Sequence, residues 1–123
     1  MKKILLINNI PTPYRRFLFD KMNSIASEFS IRLEVCYQFE KEKGRHWNLD
    51  SSKFKHDYFF SKMTLFGNEK YYDFKTINLD LFKTNFREYE YVIFSPLMSI
   101  TNGLLSLLIP RKKQIHWIES NFE

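Results

Sequence analysis

Apolar residues along this 123-residue chain fall into short blocks whose period changes repeatedly, and the changes mark out its elements. Residues 3–8 form a short continuous apolar run, as expected of a strand covered on both faces. Over residues 13–29 the period turns helical. Tyr14, Leu18, Met22, Ile25 and Phe29 share one face, and Arg16, Asp20, Asn23, Ser24 and Ser27 share the opposite one. Thr12 is placed to cap this helix, and Pro13 suits its first turn. Residues 31–39 alternate, with Ile31, Leu33, Val35 and Tyr37 set against Arg32, Glu34, Cys36 and Gln38, which predicts a second strand. Residues 40–52 are polar, contain Gly44 and read as a long loop. A third strand is predicted over 56–61, and 62–76 has no clear period beyond a Gly67-Asn68 turn. Leu79, Phe82, Phe86 and Tyr89 recur at helical spacing, with Asp80 as a candidate cap. A strand over 91–95 follows. Residues 99–109 are apolar nearly all round and stop at Pro110, which predicts a helix buried in the core or facing a partner. The last strand is expected over 114–119.

Strands alternating with helices imply an α/β fold with a Rossmann-like parallel sheet and right-handed crossovers. The simplest doubly wound arrangement has five strands in the order 3-2-1-4-5 with helices on both faces. The N-terminal strand is then central, as its unbroken apolar run requires. Ligands of such sheets bind beyond the carboxyl ends of the strands, near the switch point beside strand one. That rule selects residues 9–16, 39–47, 96–99 and 119–122.

Length allows one domain with one core. Thirteen Phe, seven Tyr and two Trp make that core or its cleft rich in rings. A net charge of +5 suits an anionic partner: phosphate, nucleic acid or an acidic membrane surface. The single cysteine, Cys36, rules out an internal disulfide and reads as a buried structural thiol. The charged opening is followed by only four apolar residues, too short for a signal peptide, and no stretch approaches the roughly 20 needed to span a membrane. The expected location is cytoplasmic. Ile100, Leu104, Leu107 and Leu108, followed by Arg111, Lys112 and Lys113, pair apolar anchors with a basic cluster. They admit a peripheral contact with the inner face of a membrane, against the plainer reading of a helix buried on the sheet.

Several chemistries are excluded by absent motifs. No Gly-x-Gly-x-x-Gly follows the first strand, and there is no P-loop and no Gly-x-Ser-x-Gly elbow. Asn8 and Asn9 stand where a receiver domain needs acids, and His46, His56 and His116 lack metal-ligand spacing, so neither metal nor cofactor is expected. What remains is concentrated at the predicted strand ends. Residues 8–16 leave a buried strand and enter a helix whose free N–H groups attract an anion. Pro13, Tyr14 and Arg15 are the candidate binding residues there. On a helical wheel Arg15 lies in the apolar arc and reaches toward the crevice, whereas Arg16 points away from the sheet. Phosphate binding and ordinary solvated charge both remain open for this pair. Arg45 and Trp47 suit phosphate contact and stacking on a sugar or base, or local anchoring of their loop. Glu119 and Asn121 offer groups for hydroxyls, or simply form a turn.

The segment Ile-Leu-Leu-Ile-Asn-Asn-Ile-Pro-Thr-Pro-Tyr-Arg-Arg-Phe-Leu-Phe over residues 4–19 resembles the start of family 4 glycosyltransferases of the GT-B fold, in the branch with a Pro-x-Pro-Tyr-Arg turn. Arg45-His46-Trp47 is similar to that branch's Arg-x-Trp, and Trp117-Ile118-Glu119-Ser120 to its last strand end. The resemblance implies one lobe of a retaining enzyme of cell-envelope polysaccharide synthesis. Such enzymes move sugar from a nucleotide-sugar donor to a glycan, lipid or lipid-linked acceptor, usually without a metal. It also implies that this N-terminal lobe holds the acceptor, while a C-terminal lobe with a Glu-x7-Glu motif, absent from these residues, binds the nucleotide. The chain is accordingly expected to be a truncated lobe that transfers no sugar alone. Pro-Thr-Pro replaces the Gly-Gly of many relatives, which shifts expected donor contacts to Tyr14 and Arg15. Two other classes remain: a basic nucleic-acid-binding α/β module, disfavoured by scattered basic residues, and a non-catalytic α/β interaction domain.

Overall fold

Five parallel strands build the sheet, and the central one is buried on both faces. The computed structural model describes residues 2–41, 51–68, 70–73, 75–95 and 99–117. In chain order the elements are β1 (Lys2–Asn8), α1 (Pro13–Glu28), β2 (Ile31–Tyr37), β3 (Asp57–Phe60), β4 (Thr64–Leu65), β5 (Ile77–Asn78), α2 (Leu79–Phe82), β6 (Tyr91–Ser95), α3 (Ile100–Leu108) and β7 (Gln114–His116). The main sheet runs β3-β2-β1-β6-β7, the order expected for its five strands, and every pairing in it is parallel. Leu5, Leu6, Ile7 and Asn8 of β1 are fully buried, as the unbroken run demands.

Crossovers of one hand that step in opposite directions from the centre must place their helices on opposite faces. α1 joins β1 to β2, and α3 joins β6 to β7. Accordingly Phe19 of α1 packs with Leu6, Leu33, Val35 and Tyr37. Leu105 of α3 and Leu81 of α2 pack with Leu5, Ile7, Cys36, Val92 and Phe94 on the other face. Successive residues of β1 thus serve alternate cores, the period-two geometry of a strand.

Three expectations are corrected in detail. On α1 the buried seam is Phe19, with Leu18 and Met22 half-buried, while Tyr14, Ile25 and Phe29 are exposed. The supposedly solvated face is occupied instead. Arg16 Nη2 donates to the Lys53 carbonyl at 3.1 Å, the Lys55 N–H donates to Asp20 Oδ1 at 2.8 Å, and Asn23 Nδ2 donates to the Lys55 carbonyl at 3.0 Å. The backbone just before β3 must find partners outside the sheet ladder, and the polar side of α1 supplies them. The helical spacing from Leu79 to Tyr89 resolves into the single turn of α2 and a 3-10 turn, Phe86–Glu88, capped by Asn85. Asp80 accepts hydrogen bonds from Ser61 Oγ (2.6 Å) and the Lys62 N–H (3.0 Å) rather than capping α2. Finally, the aperiodic stretch contributes β4, which pairs antiparallel with β5 beside the main sheet.

Candidate functional site

Because all five strands of the main sheet are parallel, Asn8, Tyr37, Phe60, Ser95 and His116 close them at one edge. α1 starts at that edge. Thr12 has extended backbone (φ −130°, ψ 160°), and its Oγ1 accepts from the Arg15 N–H at 3.1 Å, with Pro13 in the first turn. The first turn contains no acidic residue, so the positive end of the helix dipole is reinforced rather than neutralised.

Arg15 is part-buried and reaches inward, as its wheel position predicts. Its Nη1 donates to Ser95 Oγ at 2.9 Å at the end of β6, and its guanidinium lies 5.5 Å from the centre of the Trp117 ring, just past β7. Trp117 is fixed in turn by its N–H to the Phe94 carbonyl (2.9 Å) and by an edge contact with Phe19 at 6.5 Å. Fully buried Asn8 donates from Nδ2 to the Ser95 carbonyl at 2.7 Å, locking β1 to β6 beneath the arginine. A hydroxyl and a ring face thus orient the guanidinium beside the positive end of the helix. Such a guanidinium keeps planar donors pre-oriented for an oxyanion.

Of the other candidates, Tyr14 is 65% exposed on the first turn of α1. Pro13 lines a shallow recess on the outer flank of that helix, together with Arg16, Phe17, Asp20 and Lys21. Arg16 does not point to open solvent: besides Lys53 it faces Asp20 at 3.5 Å. Arg45, Trp47, Glu119 and Asn121 lie outside the described residues. Ser95 and Trp117 were not singled out as binding residues in the sequence. A serine closing a buried strand, and a tryptophan directly after one, were the available signals.

No protein-family model, curated protein or solved structure matches the chain. Two further polar clusters lie inside the fold. In the first, Gln38, Asn78, Thr101 and Asn102 are buried together. Gln38 Nε2 donates to Asn102 Oδ1 (3.1 Å) and Asn78 Oδ1 (3.2 Å), and Asn78 Nδ2 donates to the Gln38 carbonyl (3.0 Å) and Ser61 Oγ (3.0 Å). Thr101 Oγ1 accepts from the Asn78 N–H (2.9 Å) and donates to the Thr76 carbonyl (3.2 Å). These groups satisfy one another and tie β2 and β5 to α3; their work is structural.

The second cluster runs through His56. Asp20 Oδ1 lies 2.6 Å from His56 Nδ1, and the Tyr37 hydroxyl lies 2.8 Å from His56 Nε2. The neutral tautomer that satisfies all three donates from Nδ1 to the carboxylate and accepts the phenol proton at Nε2. Burial lowers the His56 pKa, opposed by its hydrogen bond to Asp20. Burial, then Asp20, pushes the Tyr37 phenol well up. The order acid, imidazole, hydroxyl is that of a proton relay, yet Tyr37 is fully buried and His56 is 4% exposed, under Phe19 and Phe54. No reactant reaches the hydroxyl, so the chain acts as a clamp between α1, β2 and β3. Spacing in the sequence concealed it, because the three residues meet only after the sheet forms. Among the described residues no three His, Cys, Asp or Glu side chains gather as a metal site, and no helix is long and apolar enough to cross a membrane.

Proposed function

We propose that this chain is the acceptor-side lobe of a retaining, nucleotide-sugar-dependent glycosyltransferase, and that the edge carrying Arg15 faces the cleft where donor and acceptor meet. The observation that supports this reading is Arg15 itself, seated between Ser95 and Trp117 at the carboxyl ends of β6 and β7, beside the first turn of α1. This is where a doubly wound sheet places its ligand. In a sugar transfer the bond from the anomeric carbon to the diphosphate oxygen breaks, an acceptor hydroxyl oxygen takes the carbon and loses its proton, and charge collects on the departing diphosphate. A pre-oriented guanidinium there stabilises that charge as it develops, and Trp117 offers a ring face to a sugar. The cargo is a glycan, lipid or lipid-linked acceptor, with the nucleotide held chiefly by a second lobe.

The test is transfer by the protein as its gene encodes it, offered a panel of nucleotide sugars and radiolabel-ready acceptors. Turnover is expected, and Arg15→Ala should lower kcat/KM by about 10-fold, the loss of one charge-assisted contact. Absence of turnover with every donor, together with Trp117 fluorescence indifferent to sugar phosphates, would overturn the reading. Salt-sensitive binding of single-stranded oligonucleotides at the same residues would instead assign a basic nucleic-acid-binding module.

A further inference from the structure

The edge of the sheet opposite Arg15 carries a second surface. α3 leaves the carboxyl end of β6, runs back across the sheet and stops where β7 begins, so residues 109–113 lie at the amino ends of the strands. Leu105 and Ile109 turn into the core, whereas Leu107 and Leu108 are 82% and 69% exposed and Leu104 is exposed beside them. Leu107 and Leu108 border an open recess of about 790 Å³ completed by Pro110, Arg111, Gln114 and His116. A neighbouring recess at the same edge gathers Lys2, Lys3, Arg87, Lys112 and Lys113 against only Glu88 and Glu90. Two of these lysines are engaged inside the fold. Lys3 pairs with Glu34 (3.5 Å) and Glu88 (3.8 Å), and Lys113 Nζ donates to the carbonyls of Tyr89 (3.0 Å) and Phe86 (3.3 Å). Arg111 and Lys112 stand exposed immediately beyond the leucines.

We infer that this surface docks on an anionic lipid bilayer, with α3 lying in the plane of the interface. The leucines need to leave water and the adjoining cations need anions; a headgroup layer over acyl chains meets both needs within one contact. A second copy of the chain fits worse. A contact through Leu107 and Leu108 would set the basic residues Arg111 and Lys112 beside a second chain that also carries +5. The docking is peripheral, since α3 has nine residues and, among the described residues, no helix is long and apolar enough to cross a membrane. The surface lies at the opposite ends of the strands from Arg15 and shares no residue with that site, so it stands independently of the proposed transfer.

Flotation of the purified chain with vesicles of equal parts phosphatidylglycerol and phosphatidylcholine tests the inference. Binding is expected to these vesicles and not to phosphatidylcholine alone, and to weaken as salt rises. Leu107→Asp with Leu108→Asp, and separately Arg111→Glu with Lys112→Glu, should each weaken binding about 10-fold or more, while Arg15→Ala leaves it unchanged. Far-UV circular dichroism checks each fold, and Leu107→Ser with Leu108→Ser serves should the aspartates prevent folding. A folded wild-type chain that ignores the anionic vesicles overturns the proposal, and so does binding that survives both sets of substitutions. Concentration-dependent dimerisation abolished by the leucine substitutions, without vesicle binding, would assign the surface to a second copy and overturn it equally.

Discussion

Helices α1 and α3 flank the same sheet on opposite faces, and each departs from the simple rule of apolar side in, polar side out. α1 tucks Arg16, Asp20 and Asn23 against the backbone of residues 53–55 and leaves Tyr14, Phe17 and Ile25 in water. α3 buries Thr101 and Asn102 beside Leu105 and leaves Leu104, Leu107 and Leu108 outside. The cause is shared. Short segments next to the sheet carry backbone and amide groups that the ladder does not satisfy, and the nearest helix turns its hydrogen-bonding residues toward them. The consequences differ. The displaced apolar residues of α1 are interspersed with Lys21, Ser24 and Glu28, an ordinary mixed surface. Those of α3 lie together and are followed by exposed Arg111 and Lys112, an apolar patch edged by cations.

The sharpest way to break this comparison is to truncate one buried and one exposed ring or branched chain on α1. Phe19→Ala should cost about 3–5 kcal/mol, because Phe19 packs against Leu6, Leu33, Val35 and Tyr37 in the core. Ile25→Ala should stay within about 0.5 kcal/mol. Urea unfolding measures both, and equal losses would mean that α1 sits on the sheet by its predicted apolar row after all.

On α3 the corresponding pair is Thr101→Val and Leu107→Ser. Thr101→Val keeps the shape but strands the Asn78 N–H and the Thr76 carbonyl, so a loss of about 1–3 kcal/mol is expected. Leu107→Ser should move stability by less than about 0.5 kcal/mol. If the leucine proves the costlier of the two, its side chain is not the exposed group described.

The smallest effect separates α1's clamp from a merely solvated polar face. Burial lowers the His56 pKa, so below its ordinary value of about 6.5 the unfolded chain takes up a proton that the folded chain refuses. Stability contributed by neutral His56 is therefore full above that pH and declines as pH falls through it toward the folded value, by no more than about 1.4 kcal/mol per pH unit for one proton. His56→Gln should flatten the profile between neutral pH and the onset of carboxylate titration. A profile identical to wild type would remove His56 from the account.

Much of the fold was legible because it follows from local period. The continuous run of β1, the alternation of β2 and the residues of β6 each define a strand without reference to the rest, and crossover handedness then orders them. Arg15's inward reach was legible too, since one helical wheel and one capping residue determine it. The partner of Arg16 was not legible, because the Lys53 carbonyl is 37 residues away. The Asp20–His56–Tyr37 clamp was invisible for the same reason.

The sequence by itself therefore determined which residues form the five strands of the main sheet, that this sheet is parallel and wound both ways from β1, and that a basic first turn stands at its switch point. These are properties of period, capping and chirality, which act over a few residues. Only the tertiary structure decided which side of each helix is buried, that Ser95 and Trp117 hold Arg15, and that exposed leucines meet cations at the far edge. Those outcomes depend on where unsatisfied backbone groups from distant segments come to rest, and no local pattern in the chain encodes that position.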